Sequence, residues 1–174
     1  EDFSQSVNLG LGLGEVHAAR GNARVDLGIY EGRTRGDLMK ALHLEPQNPK
    51  FLAYVGKFYS GSGEPDEAIR YYKEAVGLDP QSALAYSYRG QLYGDMGEPQ
   101  LALRDLDRAI ALDPKLAIAL NSRGAIYLGL KEAQRALEDL DRAIALDPKL
   151  ALAYAYRGQL YSDLRDNMRA SWDL

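Results

Sequence analysis

Four prolines, Pro46, Pro80, Pro114 and Pro148, stand 34 residues apart, and each follows an acidic residue: Glu45, Asp79, Asp113 and Asp147. The same interval joins Gly56, Gly90, Gly124 and Gly158. It joins Tyr59, Tyr93, Tyr127 and Tyr161, and also Ala68, Ala102, Ala136 and Ala170. The segment Asp105 to Leu116 recurs unchanged as Asp139 to Leu150. Four ladders in one register mark a chain built from copies of one supersecondary unit.

Within each period the apolar spacing is helical. Tyr86, Gly90 and Tyr93 fall on one face of a first helix, and Ala102, Leu106, Ala109 and Ile110 on one face of a second. Gly97-Glu98-Pro99 separates them. Gly97 suits the left-handed residue that ends a helix, and Pro99 the first turn of the next. Gly63-Glu64-Pro65 repeats that turn one period earlier, and Asp113-Pro114 closes the second helix. Each period therefore reads as a helical hairpin. Gly90 and Ala102 lack bulk where its two helices approach, and Tyr86 and Tyr93 fill the space beside them. One hairpin cannot bury both of its faces, so hairpins must stack. At roughly 25 cal/mol per Å² of apolar surface buried, the contacts between hairpins hold much of the stability.

Composition narrows the function. Twenty-one basic against 25 acidic side chains leave a net charge of −4, which disfavours phosphate-backbone binding. With no cysteine, disulfides, thiolate zinc sites and cysteine nucleophiles are excluded. No apolar run nears the roughly 20 residues of a membrane helix. A start at Glu1 without a signal pattern, and a stop at Leu174 inside an unfinished helix, lead us to expect an excised piece. The compartment stays open, with the cytoplasm favoured.

A 34-residue helix–turn–helix with Gly and Tyr on its first helix, two alanines on its second and a closing Pro resembles the tetratricopeptide repeat. The form Tyr-x-Tyr-Arg-Gly, at Tyr86 to Gly90 and Tyr154 to Gly158, resembles a bacterial variant. The resemblance implies an all-α fold, an α-solenoid of stacked antiparallel helix–turn–helix repeats in a right-handed superhelix. Full units are expected at 49–82, 83–116 and 117–150, with a truncated one at 151–174. The near-identity of the last units points to recent duplication or consensus design.

Residues 1–48 fit less closely. Glu45-Pro46 and Ala41 keep the frame, but Asn22 and Thr34 replace Gly and Ala, and Arg20-Gly21 matches later Arg-Gly pairs only after a one-residue slip. Each glycine crowding this stretch would cost about 1 kcal/mol in a helix interior relative to Ala. We expect a divergent first repeat preceded by a short helix or loose arm.

No constellation for catalysis, cofactor or metal emerges. Gly10-x-Gly12-x-Gly14 lacks the strand, the third glycine spacing and the Lys-Ser/Thr of a phosphate loop. His17 and His43 lie far apart without metal-ligand spacing, and read as surface or groove-edge side chains. Ser60-Gly61-Ser62-Gly63 has no strand before it, and reads as a hairpin turn. Asp105, Asp107, Asp139 and Asp141 alternate with Arg104, Arg108 and Arg142, and read as a solvated face with Glu138–Arg142 as an i, i+4 pair.

The resemblance places a ligand groove along the first helices. With Tyr86, Gly90 and Tyr93 turned to the second helix, Ser87, Tyr88, Gln91 and Asp95 fall on the open side. Equivalents are Lys50, Ala53, Tyr54 and Lys57; Asn121, Ser122 and Ala125; and Leu152, Tyr156, Gln159 and Asp163. The candidate peptide-binding residues are Lys50, Tyr54, Lys57, Ser87, Tyr88, Gln91, Asn121, Ser122, Tyr156 and Gln159. Tyrosine offers large contact area at low entropic cost. The competing reading packs the second tyrosine of each Tyr-x-Tyr against the neighbouring hairpin. Arg89, Arg123 and Arg157 stand where the family commonly has leucine. They are read as an ion-pair ladder between adjacent units, with Asp95, Asp105 or Asp139 as partners, or as contacts to an acidic ligand. The carboxylate clamp of chaperone-tail binders is not assembled, so that ligand is not expected.

The leading functional reading is a non-enzymatic interaction scaffold for a protein or peptide segment, with no cofactor and with neither nucleic acid nor membrane as partner. A regulatory or targeting segment of a larger enzyme is the alternative. Self-association through an uncapped C-terminal end is the third.

Overall fold

The computed structural model describes residues 12–170. Nine helices lie among them: α1 (Leu13–Asp26), α2 (Gly32–Leu44), α3 (Pro49–Gly61), α4 (Pro65–Leu78), α5 (Ala83–Asp95), α6 (Pro99–Leu112), α7 (Ala117–Gly129), α8 (Ala133–Leu146) and α9 (Ala151–Ala170). No strand occurs among the described residues. The fold is all-α, and successive helices pair as hairpins. Two compact units divide the chain, Glu1–Tyr88 and Arg89–Leu174, so α5 begins in one and ends in the other.

The 34-residue glycines mark where hairpin helices touch. In the first unit a Cβ at Gly56 would lie 2.6 Å from the Tyr72 ring. In the second, a Cβ at Gly90 would lie 2.8 Å from Leu106 Cγ, and one at Gly124 2.9 Å from Leu140 Cγ and 3.4 Å from the Ala136 carbonyl oxygen. These distances leave no room for a methyl group, so the glycine ladder is a packing requirement. Ala68, Ala102 and Ala136 are fully buried.

Turn chemistry follows the local residues. Gly63 and Gly97 take φ of +81° and +77°, and Pro65 and Pro99 then start α4 and α6. In the next hairpin Lys131 occupies the left-handed position at φ +62°, where a side chain is disfavoured. Asn48 caps α3, its side-chain oxygen accepting from the backbone N–H of Lys50 and Phe51 at 3.1 and 3.3 Å. At the corresponding point of α9 the sequence reads Arg165-Asp166-Asn167, and the helix runs on for 20 residues without turning.

The first 48 residues contain the α1–α2 hairpin. Gly21 opposes Leu38, since a Cβ there would lie 2.7 Å from Leu38 Cγ. Later hairpins place that glycine 16 residues before its leucine, and here the interval is 17. The slip at Arg20-Gly21 is thus one extra residue between the paired positions. Gly14 and Gly21 are buried contact points within α1, not loop residues. The phosphate-loop reading began at Gly10, which lies outside the described residues, as does any arm before α1.

Each unit has its own core. In the first, Ala18, Ala41 and Phe51 cluster with Leu42 and Tyr54, while Tyr59 and Tyr71 stack at 5.4 Å. In the second, Leu120, Leu140, Ala143 and Ala153 pack with Ile110, Ile144, Leu150 and Tyr156. Tyr127, Ala136 and Leu160 form a further cluster. Through Ala153 and Leu160, α9 is seated on the α7–α8 hairpin.

Candidate functional site

In the first unit a polar row crosses three first helices. From α1, Asn22 Nδ2 donates to Asp26 Oδ2 at 3.1 Å. The Asp26 carboxylate accepts from Lys57 Nζ on α3. Lys57 Nζ lies 3.5 Å from the Tyr88 hydroxyl on α5 and 5.0 Å from the centre of its ring. Lys50, one helical face away, sits 5.9 Å from the Tyr54 ring. Burial, and then the charge of Asp26, push the Tyr88 hydroxyl up to about 12. Tyr54 is also raised, by burial first and by Tyr88 and Asp26, against the lowering effect of Lys57. Both phenols therefore stay neutral donors at physiological pH.

The ten sequence-predicted residues fall into three environments. Lys50, Gln91 and Gln159 are exposed, and Tyr54, Lys57 and Tyr156 are half-buried. Ser87, Tyr88, Asn121 and Ser122 are buried, with Tyr88 only 8% exposed. The tyrosines pack backwards: Tyr54 on the Ala18–Ala41–Phe51 cluster, Tyr88 against Tyr72 at 6.3 Å, and Tyr156 on the Leu120–Leu140 cluster. Each makes contact with the preceding hairpin, and Tyr88 offers mainly its hydroxyl edge. Asn121 Oδ1 is buried on α7 without a hydrogen-bond partner. The row unites Lys57 and Tyr88. In the second unit, Asn121 and Ser122 lie on α7, and Tyr156 and Gln159 on α9.

Asp26 and Asn22 were not among the predicted residues. Their signal was the one-residue slip: counted from Arg20, Asn22 and Asp26 stand where Gln91 and Asp95 stand after Arg89. The unshifted frame hides that match.

The acidic face is corrected. Asp105 and Asp139, expected to be solvated, are each 2% exposed. Arg89 donates to Asp105 from Nε and Nη2 at 2.6 and 3.0 Å, and Arg123 to Asp139 from the same atoms at 2.7 and 2.8 Å. These bidentate pairs lie within one hairpin rather than between adjacent ones. The link to the preceding hairpin runs through the exposed acids: Arg123 to Asp107 at 2.7 Å and Arg157 to Asp141 at 2.6 Å. Arg142 lies 4.0 Å from Asp139. Alternation along the helix could not separate these roles, because Asp105 and Asp107 differ by about 200° around the axis.

Asp37 holds the equivalent place in the first hairpin. Arg20 Nε donates to it at 2.7 Å, Arg24 also bonds it, and His17 Nδ1 lies 3.1 Å away. His17 is therefore part of a buried polar node and not a free surface ring. Burial alone would raise the Asp37 carboxyl, but the bonds from Arg20, His17 and Arg24 and the charge of Arg20 outweigh it and bring it to about 2.

A family model described as "Tetratricopeptide repeat" matches residues 83–116, a second of the same description matches 117–150, and one described as "TPR repeat" matches 56–97. Together they span more than half of the chain. The chain belongs to the tetratricopeptide repeat family. The crystal structure of MamA is similar to this repeat chain at 33% identity, over 82% of this chain and 83% of that one, with a TM-score of 0.62. The first TPR of Spaghetti (RPAP3), bound to the HSP90 peptide SRMEEVD, is 26% identical over 68% of this chain and 94% of that one, with a TM-score of 0.63. A thermophilic TPR protein of Thermus thermophilus, TTC0263, shares the fold at 22% identity and a TM-score of 0.77, over 87% and 82% of the two chains. No curated protein matches. Tetratricopeptide repeats are generally non-catalytic interaction modules, and the family and its peptide-bound neighbour support a protein-interaction scaffold.

Proposed function

We propose that this tetratricopeptide repeat chain binds a peptide segment of a partner protein along the first helices of its hairpins, and that the row Asp26–Lys57–Tyr88 in the first unit is its anchor. The observation carrying this reading is that the row presents a carboxylate, an ammonium and a neutral phenol within hydrogen-bonding reach of one another on three successive first helices. Peptide amides supply both donors and acceptors, and a mixed row serves both. Half-buried Tyr54 adds apolar contact area beside it. In the second unit the exposed amides of Gln91 and Gln159 offer further backbone partners.

A displayed peptide library tests the reading. Selection on the full chain should enrich related sequences, and Lys57→Ala or Tyr88→Phe should weaken the selected peptides at least several-fold. Tyr88→Phe removes only the hydroxyl and keeps the buried ring. Enrichment that is absent, or unaltered by both variants, contradicts the proposal.

A further inference from the structure

One first helix keeps an open face where the equivalent helix before it has a partner. On α7, Leu120 is fully buried, Gly124 is pressed against Leu140, and Tyr127 is 3% exposed. The α9 residues 34 positions later are Tyr154, Gly158 and Tyr161. Tyr154 is 44% and Tyr161 48% exposed, and a Cβ built on Gly158 would meet nothing within 4 Å. The opposite face of α9 is already used, with Ala153 and Leu160 buried against the α7–α8 hairpin. So α9 is docked on one side and, among the described residues, uncovered on the side where α7 carries its second helix.

The uncovered face has a charge as well as a shape. Arg123 carries two sets of bonds: Nη1 to Asp107 of the preceding hairpin, and Nε with Nη2 to Asp139 of its own second helix. Arg157 repeats the first through Asp141, its one carboxylate partner among the described residues. Nothing among those residues takes the part of Asp139. On α8 the groups that meet the first helix are Ala136, Asp139, Leu140 and Ala143, all buried.

We propose that the Tyr154–Arg157–Gly158–Tyr161 face of α9 is a docking surface for an amphipathic helix of another protein with the spacing Ala-x-x-Asp-Leu-x-x-Ala. Its aspartate would take the Nε and Nη2 donors of Arg157, its leucine would fill the slot over Gly158, and the tyrosine rings would flank it. The leucine and alanines set the shape, and the aspartate sets the register, because it alone matches a guanidinium in bidentate geometry. The sequence repeats the first part of this spacing at Ala170, Asp173 and Leu174. Ala170, however, ends α9 itself, 12 residues beyond Gly158 on an unbroken helix. That places it roughly 18 Å along the axis, out of reach of the slot. The occupant is therefore a helix supplied from outside, and the surface is separate from the peptide row of the first unit.

A 14-residue peptide with the sequence of α8, Ala133 to Leu146, is the probe, titrated into the full chain and followed by calorimetry and by tyrosine fluorescence. Saturable one-to-one binding is expected. Arg157→Asp in the chain should weaken it at least tenfold, and a peptide carrying Asp139→Arg should restore binding to that variant and to no other. Gly158→Leu should abolish binding while the chain keeps its helical circular dichroism, since nothing lies within 4 Å of that position. The proposal is overturned by no saturation up to millimolar peptide, by binding indifferent to the charge exchange, or by light scattering in which a second copy already shields the face.

Discussion

Arg123 and Asp139, 16 residues apart on facing helices, form a two-bond pair at 2.7 and 2.8 Å, and the carboxylate is almost wholly buried. The same pair recurs at Arg89–Asp105. In the α3–α4 hairpin of the first unit the equivalent positions are Val55 and Tyr71, both buried. The family of hairpins thus tolerates either a matched ion pair or a matched apolar pair.

Removing one partner of the buried pair should therefore cost more than removing both. Arg123→Ala leaves Asp139 with a buried, poorly paired charge and should destabilise by about 3 kcal/mol. The double change Arg123→Val with Asp139→Tyr copies the first-unit solution and should cost clearly less than the two single changes added together. Chemical denaturation of the four proteins measures the coupling. A purely additive result would mean that the pair does not act as a unit.

Two chemically identical substitutions should have opposite signs. Gly124→Ala pushes a methyl group to 2.9 Å from Leu140 Cγ and should cost roughly 1–3 kcal/mol. Gly158→Ala meets open space on α9 and should be neutral or stabilising by up to about 1 kcal/mol, from helix propensity. Melting temperatures of the two variants separate packing from propensity.

Acid should loosen the first hairpin through Asp37. Its carboxyl is held at about 2 against an ordinary 3.8. The unfolded chain therefore takes up this proton at higher pH than the folded one. The resulting stabilisation, about 2 kcal/mol, is present above the ordinary value and lost as pH falls through the folded one. Asp37→Asn should reduce stability at neutral pH and flatten the pH dependence of the first hairpin between about pH 4 and pH 2. Hydrogen exchange of α1 and α2 amides reads this locally.

Asp26 should set the charge preference of the peptide row. Its carboxylate is half-exposed and already occupies Lys57. Asp26→Asn removes a repulsive charge and leaves the ammonium unpaired, so an acidic peptide such as SRMEEVD should bind the variant roughly tenfold more tightly than the parent chain. Adding Lys57→Ala should erase the gain. Fluorescence anisotropy of the labelled peptide measures it, and equal affinity for parent and Asp26→Asn would refute the assignment.

The helices and turns were legible because the signals are local. Gly97-Glu98-Pro99 specifies its turn through backbone preferences alone, and the glycine ladder marks helix contact because only glycine lacks the Cβ that would collide. The polar residues were less legible. Tyr88 and Gln91 share a helix and both read as open, yet Tyr88 is buried and Gln91 exposed. Tyr72 and Lys57, which cover Tyr88, come from other helices. In the first hairpin the one-residue slip moved Asn22 and Asp26 out of the frame, so that the row was visible from one side only.

The amino-acid order by itself determined the all-α hairpin architecture, its 34-residue register and the membership of the chain in its family, since period, turn residues and helical spacing are properties of neighbouring residues. Tertiary packing decided which charges are buried and which helix face stays open. Asp105 and Asp107 are the same residue type two positions apart, and Gly124 and Gly158 are the same rung of one ladder. Their different fates depend on whether a second helix lies opposite, because burial and ion pairing are set by atoms brought together from distant parts of the chain.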